Sequence, residues 1–88
     1  MKISEIKKLL MKNIALDEVY VNVTGRHFKI IAVSELFADM SSVKKQQIIY
    51  TPLMEHILKK RIHALSIKVY TPKEWQFYRK FKIGGIFT

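Results

Sequence analysis

The stretch Val19-Tyr20-Val21-Asn22-Val23-Thr24-Gly25-Arg26-His27-Phe28-Lys29-Ile30-Ile31-Ala32-Val33 decides the fold. Val19, Val21 and Val23 alternate with Tyr20 and Asn22, the period of a half-buried strand. Thr24-Gly25-Arg26 reads as a tight turn, because Gly25 accepts a positive φ without steric cost. His27 to Val33 reads as a second strand, so the two form a hairpin.

Upstream, Ile3, Ile6, Leu9 and Leu10 follow helical spacing with Lys7, Lys8 and Lys12 on other faces, which predicts a first helix capped near Ser4 and ending near Asn13. Downstream, Ser34-Glu35-Leu36-Phe37 predicts a short helical turn capped by Ser34. A longer helix begins near Val43 with Ser41 or Ser42 as its cap. Its apolar face is expected to hold Val43, Gln47, Tyr50, Met54, Ile57 and Leu58, with Pro52 on the opposite side. Proline removes a backbone donor, so a kink is expected there, with a break into two helices as the alternative.

His63 to Tyr70 predicts a third strand that buries Leu65, Ile67 and Val69. Thr71-Pro72-Lys73-Glu74 has the capping-box pattern and starts a last helix through Trp75 and Tyr78. Gly84-Gly85 lies in a tail, residues 79–88, expected to be loose.

The roughly 29 residues between the second and third strands contain helices, and that length suits a right-handed parallel crossover. The fold class is therefore α/β (α+β), in the order α-β-β-α-α-β-α. A three-stranded mixed sheet is covered by helices on one face, in a single domain over residues 1–88.

Composition narrows the function. With 88 residues there is room for a modest core only. Without cysteine the chain has no disulfide, thiolate zinc site or cysteine nucleophile. No apolar run approaches the ~18 residues of a membrane span, and the N-terminus lacks the apolar block of a signal peptide. A soluble, cytoplasmic protein is expected. The net charge of +9 suits an anionic partner. Equally, 13 of the 16 basic residues are lysine, which fits a compositional bias better than a surface chosen for bidentate phosphate binding by arginine.

The topology gives His27 and His63 a common setting. Parallel neighbours start at the same sheet edge, and adjacent strands lie about 4.8 Å apart. Two imidazoles leave a four-coordinate metal incomplete, so further ligands must come from a partner or solvent. Histidine replaces cysteine on iron in Rieske-type iron–sulfur centres. The bland alternative is a loop histidine at 27 and a strand-end histidine at 63. His56 is expected to be a solvated surface residue.

Several spaced segments resemble one family. Ser34-Glu35-Leu36-Phe37, Ser42-Val43-Lys44-Lys45-Gln46-Gln47 with Tyr50, Arg61-Ile62-His63-Ala64-Leu65-Ser66-Ile67 and Tyr70-Thr71-Pro72-Lys73-Glu74-Trp75 closely resemble the BolA family, and its bacterial IbaG-like branch in particular. The resemblance spans roughly residues 3 to 78 and keeps the segments in order. It implies a fold similar to a type II KH domain and a monothiol glutaredoxin as partner. A 2Fe-2S cluster is implied to bridge the pair, with thiolates from glutaredoxin and glutathione. His63 takes the position of the family's cluster histidine, and His27 that of a second ligand between the first two strands.

The resemblance also implies transcription regulation, stress response and DNA or RNA binding. The candidate surface is Lys44, Lys45, Gln46 and Gln47, where the second helix of a helix-turn-helix would reach base edges. Lysines in a first helical turn oppose the helix dipole, which hints at a function. Against a standard KH clamp, the only glycines are Gly25, Gly84 and Gly85, so no GXXG loop exists, and Asp39 stands where phosphates would approach. In the mixed stretch Trp75, Phe77, Tyr78, Arg79, Lys80, Phe81 and Lys82 the aromatics are expected to pack on the body and the lysines to be solvated, rather than the stretch stacking bases or docking a partner protein. No P-loop, dinucleotide turn or nucleophile elbow is present, and Glu35, Asp39 and Glu55 are scattered. A non-enzymatic protein with no small-molecule substrate and no membrane partner is expected.

Overall fold

The computed structural model describes residues 2–81. Helix α1 (Ile3–Asn13) leads into strands β1 (Glu18–Thr24) and β2 (His27–Val33). A 3₁₀ turn (Glu35–Phe37), helix α2 (Ser42–Leu58), strand β3 (Ala64–Tyr70) and helix α3 (Pro72–Phe81) follow. The sheet order is β1-β2-β3, with β1 antiparallel and β3 parallel to β2. The three-stranded mixed sheet expected from the hairpin and the crossover length is thus present.

The hairpin turn is two residues long. Thr24 pairs with His27, and Gly25 has a φ of +60°. Positive φ at the first turn position is the II′ pattern, whose twist matches the flanking strands.

Residues two apart on a strand share a sheet face. Val21, Phe28, Ile30 and Ala32 pack on one face with Ile6 and Leu10 of α1, Ile49 and Leu53 of α2, and Phe37. Leu65, Ile67 and Val69 join this core half-buried, because β3 is an edge strand. Ile31 and Val33 point the other way and are covered by Trp75 of α3 with Tyr20, Tyr70 and Tyr78. This corrects the expected one-sided cover: α3 lies on the opposite face from α1 and α2. The run Ile30-Ile31-Ala32-Val33 carried the signal, since a strand apolar on both faces needs cover on both.

Helix α2 is continuous through Pro52, so the chain kinks or bends at most and does not split. Its buried side is Ile49 and Leu53, flanked by half-buried Gln46 and Ile57. The expected apolar face is displaced from this: Val43, Met54 and Leu58 are 66 %, 45 % and 75 % exposed.

Caps fix the element ends. Ser41 Oγ accepts from Lys44 N–H and Ser34 Oγ from Leu36 N–H. Ser34 is also buried and donates to the Ala15 carbonyl at 2.7 Å. Ser4 does not cap α1: the cap position is Lys2, whose N–H donates to Glu5.

Thr71 and Glu74 form the expected reciprocal box, with Thr71 N–H to Glu74 Oε1 at 2.8 Å and Glu74 N–H to Thr71 Oγ1 at 3.3 Å. That backbone hydrogen bond holds the Glu74 carboxyl below its ordinary value of 4.5. A lowered folded pKa contributes stability above the unfolded value and loses it as pH falls through the folded value. Glu74→Gln is therefore expected to be less stable than the parent above pH 4.5 and to converge on it in more acid solution. Paired chemical denaturation series across that range read the difference.

Helix α2 ends in a Schellman motif. Arg61 N–H donates to His56 O at 2.9 Å and Lys60 N–H to Ile57 O at 3.0 Å. Lys60 is left-handed at φ +59°, a conformation that strains a side-chain-bearing residue. Lys60→Gly is expected to raise the unfolding free energy by about 0.5–1 kcal/mol, after allowing for the freer unfolded chain. An unchanged or lowered denaturation midpoint would count against this geometry.

Arg79–Phe81 belong to α3 rather than to the expected loose tail. The remainder of that tail lies outside the described residues. Among the described residues no helix is long and apolar enough to cross a membrane.

Candidate metal centre

The parallel register sets His27 opposite Ala64. His63 immediately precedes Ala64, so both histidines stand at the same end of neighbouring strands. His27 is the first residue of β2, directly after the two-residue turn, and therefore sits on a strand rather than a long loop. Its ring is half-buried. His63 lies just outside β3 and is exposed. Its position is fixed from behind by Ile62, which is buried in the main core, and by the Schellman turn that ends α2.

His27 Nε2 lies 2.7 Å from Ser66 Oγ. One ring nitrogen is thus engaged within the sheet, and Nδ1 is the other coordinating atom an imidazole offers. Periodicity could not single out Ser66, because its relation to His27 exists only once the register is known.

The donor chemistry suits a shared centre. Among the described residues, no group of three or more His, Cys, Asp or Glu side chains comes together. Two imidazoles at a rim match a site that borrows its other ligands, and imidazole is an established ligand of 2Fe-2S iron. His27 and His63 are the residues that would hold such a group.

The basic helix differs from expectation. The segment before α2 is a single 3₁₀ turn with Phe37 fully buried, not the first helix of a helix-turn-helix. Gln46 Nε2 donates to the Ile67 carbonyl at 3.1 Å. That bond ties the Gln46 side chain to the β3 edge and uses one of its two amide N–H donors, so Gln46 has a structural partner rather than a side chain free to swing toward a base. Lys45 is half-buried beside it and lines a shallow groove of about 280 Å³ with Ser42, Gln46, Ile67, Lys68 and Tyr70. Lys44 and Gln47 remain exposed.

His56 is half-buried rather than freely solvated, and its Nδ1 accepts from Arg61 at 3.4 Å. The C-terminal aromatics pack on the body as expected for Trp75 and Tyr78. Arg79 sits 5.9 Å from the Trp75 ring centre, within cation–π range. Burial, with Tyr78 beside it, pushes the Tyr70 hydroxyl up to about 12. Tyr20 donates to Glu18, and that bond raises the Tyr20 pKa. Phe77 is exposed. The side chain of Phe81, and Lys82, lie outside the described residues.

A small three-stranded mixed sheet with helices on both faces, and two histidines at one end of its neighbouring strands, defines an α+β domain. A family model described as BolA-like protein matches residues 10–74, and the chain belongs to the BolA family. The acid stress protein IbaG of Escherichia coli (strain K12) is 56 % identical over 80 residues, 91 % of this chain and 95 % of the relative. The BolA domain of SufE1 from Arabidopsis thaliana superposes with a TM-score of 0.69 at 33 % identity, covering 81 % of this chain and 92 % of that one. The DNA-binding transcriptional regulator BolA of Vibrio cholerae serotype O1 is 42 % identical over 50 residues, 57 % of this chain and 46 % of the relative.

Proposed function

We propose that this chain is a non-enzymatic cytoplasmic partner of a monothiol glutaredoxin in iron–sulfur cluster assembly or trafficking. In this reading His63 and His27 complete the coordination of a 2Fe-2S cluster whose thiolates come from glutaredoxin and glutathione. The observation that carries it is the parallel pairing of His27 with Ala64, which sets two distant histidines at one rim. The cluster, when bound, supplies iron with coordination positions that imidazole nitrogens fill. The chain's own contribution is to hold those rings on a sheet end and leave them accessible to a second protein. The name of the Escherichia coli relative, an acid stress protein, supports linking this reading to a stress response.

Anaerobic mixing of the full chain with a monothiol glutaredoxin, glutathione, ferrous iron and sulfide tests this. A heterodimer absorbing in the visible, distinct from the glutaredoxin homodimer, is the expected product. A colourless complex, or a spectrum identical to glutaredoxin alone, would defeat the proposal.

A second reading, nucleic-acid binding by Lys44 and Gln47, is favoured by the name of the Vibrio cholerae relative and by the +9 charge. Two of the four expected contact residues, Lys45 and Gln46, are turned toward β3, which weakens it. Counterion release requires such binding to fall steeply with salt. Loss of all duplex binding at physiological salt removes this reading.

A further inference from the structure

Ser66 and His27 are 39 residues apart in sequence and meet through the sheet. His27 is opposite Ala64 and Lys29 is opposite Ser66. Ser66 is therefore the diagonal neighbour of His27 on the same face. Across that diagonal the hydroxyl oxygen lies 2.7 Å from Nε2.

A neutral imidazole carries one N–H and one lone pair, whereas a serine hydroxyl both donates and accepts. If the hydroxyl donated to Nε2, the proton would sit on Nδ1 and block it. If Nε2–H donates to the hydroxyl oxygen, the lone pair is on Nδ1 and the ring is ready to bind a metal. Metal-binding histidines generally give their other N–H to a fixed acceptor, which sets both tautomer and ring orientation. The geometry points to Ser66 as a positioning residue: Nε2–H of His27 is held by Ser66 Oγ, and Nδ1 is the nitrogen presented to iron. This inference rests on the function proposed above and specifies which atom of His27 serves it.

The test begins with the full chain and no metal. With ¹⁵N-labelled histidine, the unmodified chain is expected to show a solvent-protected Nε2–H signal that disappears in His27→Ala. Ser66→Ala should lose it to exchange, and Ser66→Thr, which keeps a hydroxyl, should restore it. A proton found on Nδ1 instead, or an Nε2–H equally protected in Ser66→Ala, overturns the assignment. In the reconstituted glutaredoxin complex, Ser66→Ala should weaken cluster retention by roughly 10–100-fold, with Thr again restoring it. If the unmodified chain forms a cluster and Ser66→Ala retains it equally well, the positioning role alone fails. If the unmodified chain forms no cluster, the proposed function fails and this role falls with it.

Discussion

Trp75→Ala is expected to lower the unfolding free energy by about 3–5 kcal/mol, the range for truncating a buried large aromatic. Trp75 is 1 % exposed and is the centre of the second core. Its ring lies 5.3 Å from Tyr20, 5.5 Å from Tyr70 and 6.2 Å from Tyr78. These are separations at which aromatic pairs add to the gain from burial. It also covers Ile31 and Val33 together with the three tyrosines, so its loss removes the centre of the cover over that part of β2. Domains of this size have only about 5–15 kcal/mol in reserve, and a fall of this extent should be evident in any equilibrium melt. A change within about 0.5 kcal/mol, the size of an ordinary surface substitution, would mean that α3 does not seal that face.

His63→Ala is expected to do the reverse. The side chain is exposed and the structural anchor beside it is Ile62, so stability should stay within about 0.5 kcal/mol of the parent. Under the proposed function, cluster retention in the glutaredoxin complex should fall further than the roughly 10–100-fold cost of losing an outer-sphere partner, because the variant would lack a proposed ligand atom itself. Optical spectra of the reconstituted complex and a thermal melt of the variant separate the two effects. An unchanged spectrum with unchanged cluster lifetime would remove His63 from the ligand set. A large drop in stability would show that the residue serves the fold.

The elements whose local chemistry leaves one choice were legible beforehand. The alternation from Val19 to Val23, interrupted by Gly25, admits only a hairpin. Thr71-Pro72-Lys73-Glu74 marks a helix start from its own backbone requirements. The length and helical content of the β2-to-β3 connection suited a parallel crossover, and a parallel pair sets His27 and His63 at one edge.

What failed depends on which surface meets which. Helix α2 is apolar on much of its circumference, so the stripe containing Val43, Met54 and Leu58 competes on equal terms with the one containing Ile49 and Leu53. The sheet selects between them, and periodicity within one helix does not show where the sheet lies. Gln46 illustrates the same limit: beside Gln47 it looks equally free to read a base, but the edge carbonyl of Ile67 claims it. Ser66 was hidden for a related reason, since a serine in a strand acquires a role only from the residue placed diagonally across.

Pulsed electron paramagnetic resonance of the reduced heterodimer tests the central claim most directly, with ¹⁵N-histidine incorporated into this chain alone and the glutaredoxin unlabelled. The account predicts a ¹⁵N coupling to the cluster that His63→Ala diminishes or abolishes. A cluster spectrum with no ¹⁵N coupling would show that the iron takes no imidazole from this protein, and would contradict the account.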